Sequence, residues 1–398
     1  MKVNLHFECV GEGDCLLLNL SKDKTTYNVL IDCGKYNTQI EGLLKHYNID
    51  NFNKVIVTHI DNDHIYGLIE LLNANSELRI DDFWFNCYRH LPEQEEIPLT
   101  PFQRARVEML YSELPSRYEK LDEKISAANA LTLAETINTK THWKGNWNKQ
   151  VISTDLIKKF DLGEFGNITI LSPTNKELEE LEEIYKIEFC KKLYGKSNYK
   201  EIEKSGEIYE LLLRILTEEE KSDKEEEYLI SAKSILTKQN IIDFAKQEIK
   251  IDNSPTNRSS IAFIWEFNNH QILFLGDSAP DVILKQIRQF KLDNCIEKEV
   301  LIFDAIKISH HGSSRNITNE LLEEIDSENF IFSGYSTKRP DEITISKIIS
   351  KPVSEKISKR MLLFNCENGI VKNFRLNNVL KDEFHYEIQI ASKIDWEW

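Results

Sequence analysis

The residues with the clearest chemical capacity lie in the run Thr58-His59-Ile60-Asp61-Asn62-Asp63-His64, where two imidazoles and two carboxylates fall within six positions. A divalent cation needs several ionised or imidazole donors converging on one point, and this run supplies them. Val55-Ile56-Val57 just before it reads as a buried strand, and Ile65 to Leu72 behind it repeats apolar residues at helical spacing. The donors thus occupy the turn at the carboxyl end of a strand, where open α/β sheets place their sites. A surface turn rich in Asp and His has the same composition, so the weight rests on what else shares the pattern.

Two further segments do. Gln271-Ile272-Leu273-Phe274-Leu275 runs into Gly276-Asp277-Ser278, and Ala305-Ile306-Lys307-Ile308-Ser309 runs into His310-His311-Gly312-Ser313. Each is an apolar strand pattern ended by small residues and a donor. The chemistry such a set supports is hydrolysis: a water shared by two cations loses a proton near neutral pH, and the same cations stabilise negative charge in the transition state.

The motifs His59-x-Asp61-x-Asp63-His64, Gly276-Asp277 and His310-His311-Gly312-Ser313, in this order, resemble those of the metallo-β-lactamase-fold hydrolases. Among these, the chain is most similar to the hydrolase domain of the ComEC competence proteins and its stand-alone relatives. Val10-Gly11-Glu12-Gly13-Asp14-Cys15 resembles that group's glycine-and-Asp hairpin, and Leu30-Ile31-Asp32-Cys33-Gly34 its second strand motif.

The resemblance implies one metal held by Asp63, His64, Asp277 and one of His310 or His311. It implies a second held by His59, Asp61 and the shared Asp277. Asp61 stands where most of the superfamily has His, and none of His90, His142 and His270 suits the further His ligand expected before the bridging Asp. The second position is therefore oxygen-rich, which by ligand hardness shifts preference from zinc toward manganese or magnesium. We expect one or two divalent metals per chain.

Roles for the remaining groups follow from the same resemblance. Asp61 or Asp63 orients the water and shuttles its proton, and whichever of His310 and His311 is not a ligand contacts a phosphate or donates to the leaving group. This makes Asp61, Asp63 and His311 the catalytic candidates. Asp32 sits behind the ligands and holds a ring nitrogen. Asn257, Ser259, Ser313 and Arg339 are candidate substrate contacts, Arg339-Pro340 lying where the group often has His-Pro.

The 398 residues suffice for one sizeable core with insertions, or for two domains. No apolar run approaches the length of a membrane span, and the first residues alternate like a strand rather than forming a signal sequence, so a cytoplasmic protein without membrane contact is expected. Seven cysteines without a Cys-x-x-Cys pair point to reduced, mostly buried thiols. The net charge of −16 disfavours an extended polyanion as substrate, although bound cations invert the local field.

Residues 176–250 alone contain 19 acidic and 14 basic residues, and near-copies, Leu171-Ser172-Pro173-Thr174-Asn175 and Asn253-Ser254-Pro255-Thr256-Asn257, bracket them. Residues 176–249 read as a charged helical insertion. The hydrolase core then comprises residues 1–175 and 250–398, with a second helical segment over about 95–140; Trp143 and Trp147, just beyond it, are candidate cleft residues, or core residues as aromatics more often are.

The expected fold is α/β, a four-layer αββα sandwich with two mixed sheets face to face, helices outside and metals at the strand ends. The expected function is a metal-dependent hydrolase, foremost a phosphodiesterase or nuclease acting on nucleic acid or nucleotide through a metal-bridged hydroxide. By resemblance alone, such proteins also occur in antiphage defence operons beside an ATPase partner. The alternatives are a small-molecule ester, lactone or phosphoester hydrolase, and a regulatory subunit with a weakened metal site.

Overall fold

Alternation along the first strands dictates the layering. Leu16, Leu18 and Leu20 point into one apolar cluster while Leu17 points into another, as a period-2 strand buried on both faces requires. In the computed structural model, residues 1–87, 90, 126–181, 236–334, 336 and 339–398 are described. The first sheet has six strands in the order Lys393–Glu397, Lys2–Phe7, Leu16–Lys22, Thr25–Ile31, Lys54–Val57 and Phe83–Phe85. The second has eight: Tyr386–Ile390, Arg360–Phe364, Asn329–Phe332, Ala305–Lys307, His270–Phe274, Ala262–Phe267, Asn167–Ser172 and Lys159–Asp161.

Between the sheets, Val3, Leu5, Phe7, Ile31 and Ile56 of the first meet Ile170, Phe263, Trp265, Ile272 and Phe274 of the second. Burying each such side chain stabilises the fold by roughly 1.5–3 kcal/mol, so this middle layer carries much of the cohesion. The outer face of the first sheet packs on helices Thr38–His46, Asn62–Ala74 and Ser126–Thr139. That of the second packs on Pro280–Asp293, Glu342–Ser350 and Gly369–Arg375. The αββα order expected from the sequence is the one the chain adopts.

Both sheets are mixed, and their parallel strands carry the site. Lys54–Val57 lies parallel to its two neighbours, and Ala305–Lys307 lies parallel to His270–Phe274 and Asn329–Phe332. Their carboxyl ends meet along one edge, where Ile261 N donates to Thr58 O at 2.8 Å and ties the sheets together.

Three expectations need comment. The seven cysteines are not all reduced: Cys9 and Cys366 form a disulfide, and Cys15, Cys33, Cys87 and Cys295 keep their thiols. Sequence spacing conceals this pair because 357 positions separate two segments that the fold brings side by side, Asn365 Nδ2 donating to Glu8 O at 2.9 Å. Trp143 and Trp147 are core residues among the described residues: both are buried under the first sheet, with their indole N–H groups on the carbonyls of Leu78 and Phe85. Most of the expected insertion over 176–249, and residues 95–125 of the other helical segment, lie outside the described residues, while helix Lys238–Ala245 packs on Glu342–Ser350. Among the described residues no helix is long and apolar enough to cross a membrane.

Candidate metal centre

Three turns deliver the donors. Asp61 occupies the N-cap of helix Asn62–Ala74, so Asp63 and His64 fall in its first turn, where the helix dipole favours carboxylate charge. Asp277 follows Gly276, whose backbone is left-handed at φ +51° and whose missing Cβ leaves room for Ser260 Oγ. His310, His311 and Gly312 are all left-handed, with φ of 50°, 54° and 89°. Two consecutive non-glycine residues in that region store strain, and here it turns both rings toward Asp277.

The ring nitrogens facing away from this point are each held. His64 Nδ1 donates to Asp32 Oδ2 at 2.9 Å, and the Thr58 hydroxyl donates to the same oxygen at 2.6 Å. Because the Thr58 hydrogen is committed to Asp32, Thr58 Oγ1 accepts from His59 Nδ1 at 3.1 Å. His311 Nδ1 donates to Ser333 O at 3.1 Å, with Asp14 Oδ1 3.3 Å away. His310 Nδ1 faces Asn316 Oδ1 at 3.1 Å and Asp252 Oδ2 at 3.2 Å. Acceptors at every Nδ1 place the hydrogen there, which leaves an Nε2 lone pair on each ring.

Those Nε2 atoms converge. They lie 3.9, 3.6, 3.6 and 3.9 Å from Asp277 Oδ2 for His59, His64, His310 and His311 respectively. His59 Nε2 is 3.4 Å from Asp61 Oδ2, and His311 Nε2 is 3.4 Å from Asp63 Oδ2. The Nε2 atoms of His59, His64 and His311, together with Asp277 Oδ1, are buried without a hydrogen-bond partner. Leaving such atoms unsatisfied costs about 1–3 kcal/mol each. Donors about 2.1 Å from a shared tetrahedral cation sit about 3.4 Å apart, the lower end of the 3.4–3.9 Å spacings here, and a bound ion would remove that cost.

Two groups could share an ion: His59, His64 and Asp277, and Asp63, His64 and His311. A third, Asp14, Asp32 and His64, lies behind them, where the carboxylates hold imidazoles. His311, not His310, is thus the tandem histidine that stands with Asp63 and His64. His310 is also the more open of the two, its side chain 14% exposed against 3%.

The electrostatics favour a cation. Burial would raise the Asp277 carboxyl, but the imidazoles of His310, His64 and His311 outweigh it and hold it well below the usual carboxylate range. Burial would lower the His64 imidazole, yet Asp277, Asp63 and Asp32 push it well above its ordinary value. Likewise burial opposes, and Asp14 and Asp277 override, so that His311 is pushed up to about 9. The carboxylates demand positive charge at this point, and protons on the imidazoles meet it when no ion does.

The remaining candidates fall around this cluster. Asp32 accepts from Thr58 N, Thr58 Oγ1 and His64 Nδ1. Asn257 is buried, donates to Asp252 Oδ2 at 2.8 Å and keeps an unpartnered Oδ1. Ser259 donates to Thr256 O at 2.7 Å, and Ser313 Oγ accepts from Arg315 N at 3.3 Å. Arg339 is partly exposed and precedes Pro340, which lies against Gly312. His90 and His270 lie elsewhere, on Asn148 O and Asp304, and His142 packs edge-on against Trp143.

Sequence reasoning passed over Asp252, Asn316, Ser333 and Lys307, and gave Asp14 no role. Asp14 stood in a hairpin motif that was legible. Asp252, in an ordinary Asp-Asn-Ser-Pro turn, carried no signal.

Comparison with known proteins adds the following. No curated protein matches the chain. Among solved structures, the metallo-β-lactamase fold protein YhfI from Bacillus subtilis is similar over 100% of both chains, at 12% identity and a TM-score of 0.37. The segment from residue 10 to residue 77, which carries Asp14, Asp32 and the whole run from His59 to His64, matches the sequence model of the metallo-β-lactamase superfamily.

Proposed function

We propose that this protein is a metal-dependent hydrolase acting on phosphodiesters of nucleic acids or nucleotides. The observation that carries the metal-dependent part is the set of buried, unpartnered Nε2 atoms of His59, His64 and His311, each within 3.9 Å of Asp277 Oδ2. Divalent cations bound there acidify water and neutralise charge that develops on phosphoryl oxygens.

The chain's own residues divide the rest. Asp32, Asp14 and the Thr58 hydroxyl fix ring orientation, so the donors need no rearrangement on binding. Asp61 and Asp63 have side chains 33% and 37% exposed, and that access supports a role for them in orienting water and receiving its proton. His310 shares that side and faces the leaving group. The phosphodiester preference rests on the likeness of the motifs to the ComEC group, as does a role in antiphage defence beside an ATPase.

The net charge of −16 favours a second reading, a hydrolase of small esters, lactones or phosphoesters, because a long polyanion must approach an acidic surface. Metal analysis of the purified chain, followed by manganese-supported assays on single-stranded DNA, double-stranded DNA, RNA, dinucleotides and small esters, separates the two. Cleavage of a polynucleotide or dinucleotide that disappears in Asp63→Ala and Asp277→Ala supports the proposal. Bound metal with turnover confined to small esters replaces it with the second reading.

A further inference from the structure

The segment from Glu8 to Cys15 meets the candidate metal centre with its backbone. A Cβ on Gly13 would lie 1.6 Å from the Asp63 carbonyl oxygen, and one on Gly334 would lie 2.5 Å from Glu12 O and 2.8 Å from His311 Nδ1. Asp14 N donates to Asp63 O at 3.2 Å, and the Asp14 carboxylate faces Ser333 Oγ and His311 Nδ1. The segment is thus wedged between the turn that carries Asp63 and the strand end that holds His311. Gly11, left-handed at φ +91°, and Gly13 give this wedge wide backbone freedom, which bonds elsewhere must limit.

One of those bonds is covalent. Cys9 is joined to Cys366, two residues beyond strand Arg360–Phe364 of the second sheet. The turn around Cys366 is itself anchored: Asn365 Nδ2 donates to Glu8 O at 2.9 Å, and Asn368 Nδ2 donates to Ser336 O at 2.9 Å and Arg339 O at 2.8 Å. Cys9 and Cys366 are half-buried, whereas Cys15, Cys33 and Cys87 are buried. The disulfide at the base of the wedge therefore stands within reach of a thiol from solution.

We infer that Cys9–Cys366 is a thiol-exchange site whose state sets how firmly the glycine-rich wedge backs Asp63 and His311, and hence how tightly the centre binds metal. The inference rests on the metal-dependent part of the proposed function and not on its substrate. In the exchange, a thiolate of an external reductant bonds to one cystine sulfur. The sulfur–sulfur bond breaks, and its electron pair leaves on the other sulfur, which takes a proton. A second thiol of the reductant displaces the first, so the protein gains two thiols and the reductant ends as a disulfide. The partner this requires is a small-molecule thiol or a protein dithiol. With the bond open, the wedge regains the freedom that the cross-link removed, and the supports of two candidate ligands loosen together.

Wild-type protein reduced with dithiothreitol, and freed of it under nitrogen because thiols compete for zinc, tests this against the oxidised protein. In the folded protein an alkylating mass label is expected on Cys9 and Cys366 after reduction and not before, with Cys15, Cys33 and Cys87 unlabelled in both states. Zinc affinity in a chelator competition should fall by roughly tenfold on reduction, the lower end of the cost of removing a ligand's support. It should return on reoxidation with a low-molecular-weight disulfide. Cys9→Ser and Cys366→Ser should each match the reduced wild type and ignore the reductant, and Cys295→Ser should respond as wild type does.

Hydrogen exchange of the metal-free protein supplies a readout that needs no zinc. The amides of Asp14 and Gly34, bonded to Asp63 O and Asp14 O, should exchange faster after reduction, while those of strand His270–Phe274 keep their rates. A disulfide that serves only as a staple lowers the urea midpoint on reduction and leaves zinc affinity of the folded protein unchanged, which overturns the proposal. Opening that requires urea, or unaltered exchange at Asp14, overturns it as well. Absence of zinc binding in both states overturns the metal-dependent reading and with it the control of affinity, whereas faster exchange at Asp14 still upholds the brace.

Discussion

The carboxylate of Asp14 meets the ammonium of Lys307 at 2.6 Å, and this contact joins the two sheets. Asp14 precedes the first-sheet strand Leu16–Lys22, Lys307 ends the second-sheet strand Ala305–Lys307, and both are almost wholly buried. The other Asp14 oxygen faces Ser333 Oγ and His311 Nδ1. One ion pair therefore sets both the closure of the sandwich and the direction of a candidate ligand.

Breaking that pair from one side should be costly. Asp14→Ala leaves a buried ammonium uncompensated, so unfolding of the metal-free protein in urea is expected to show a loss of about 3–5 kcal/mol. Asp14→Leu combined with Lys307→Met should recover most of the stability but not metal affinity, which drops by about 10–100-fold because His311 loses its support. The pH dependence has a definite sign. Burial raises the Asp14 carboxyl, Lys307 and His311 outweigh it, and the net shift is downward. Its contribution is therefore complete above the ordinary carboxylate range and is lost as pH falls toward the depressed value. The gap between wild type and Asp14→Ala should narrow in acid.

Two glycines press against the backbone of Asp63. A Cβ on Gly13 would lie 1.6 Å from the Asp63 carbonyl oxygen, and one on Gly34 would lie 2.0 Å from it. Neither distance can be relieved by rotating a side chain. Gly13→Ala and Gly34→Ala should each displace the start of helix Asn62–Ala74, destabilise the protein by about 1–3 kcal/mol and reduce bound metal. Gly42→Ala, inside helix Thr38–His46 and with open space at its Cβ, serves as the control and should leave bound metal unchanged while raising stability by about 0.5–1 kcal/mol.

The tandem histidines should behave differently toward metal. His311 stands with Asp63 and His64 in an ion-sharing group, and His310 does not. His311→Ala is therefore expected to weaken zinc or manganese binding by at least tenfold, about 1.4 kcal/mol, in a chelator-competition titration. His310→Ala should bind metal within about twofold of wild type, well under 1 kcal/mol. The reverse order would move His310 into the metal site.

Removing metal should lower thermal stability, because an ion that binds only the folded centre stabilises it by mass action. Addition of a chelator is expected to lower the melting temperature of the wild type, and zinc or manganese to restore it. In Asp277→Ala the two conditions should give the same melting temperature. Affinity should also fall as pH drops below about 9, the raised value of the His311 imidazole, since protons then compete for its Nε2.

Much of this was legible along the chain for a simple reason. Strand periodicity and the abrupt change to donors at a strand end are local, so Val55 to His64, Gln271 to Asp277 and Ala305 to His311 announced themselves, and with them the layered α/β fold. Sequence left open which of His310 and His311 stands with Asp63, because two adjacent rings differ only in where a left-handed turn aims them. Nothing local marked Asp252 as a partner of His310 or joined Cys9 to Cys366, because both relationships couple segments distant in sequence. The kinds of atoms available to the centre were set by sequence alone. Which nitrogen faces inward, and which carboxylate holds it there, was decided when the two sheets packed and buried groups had to find partners.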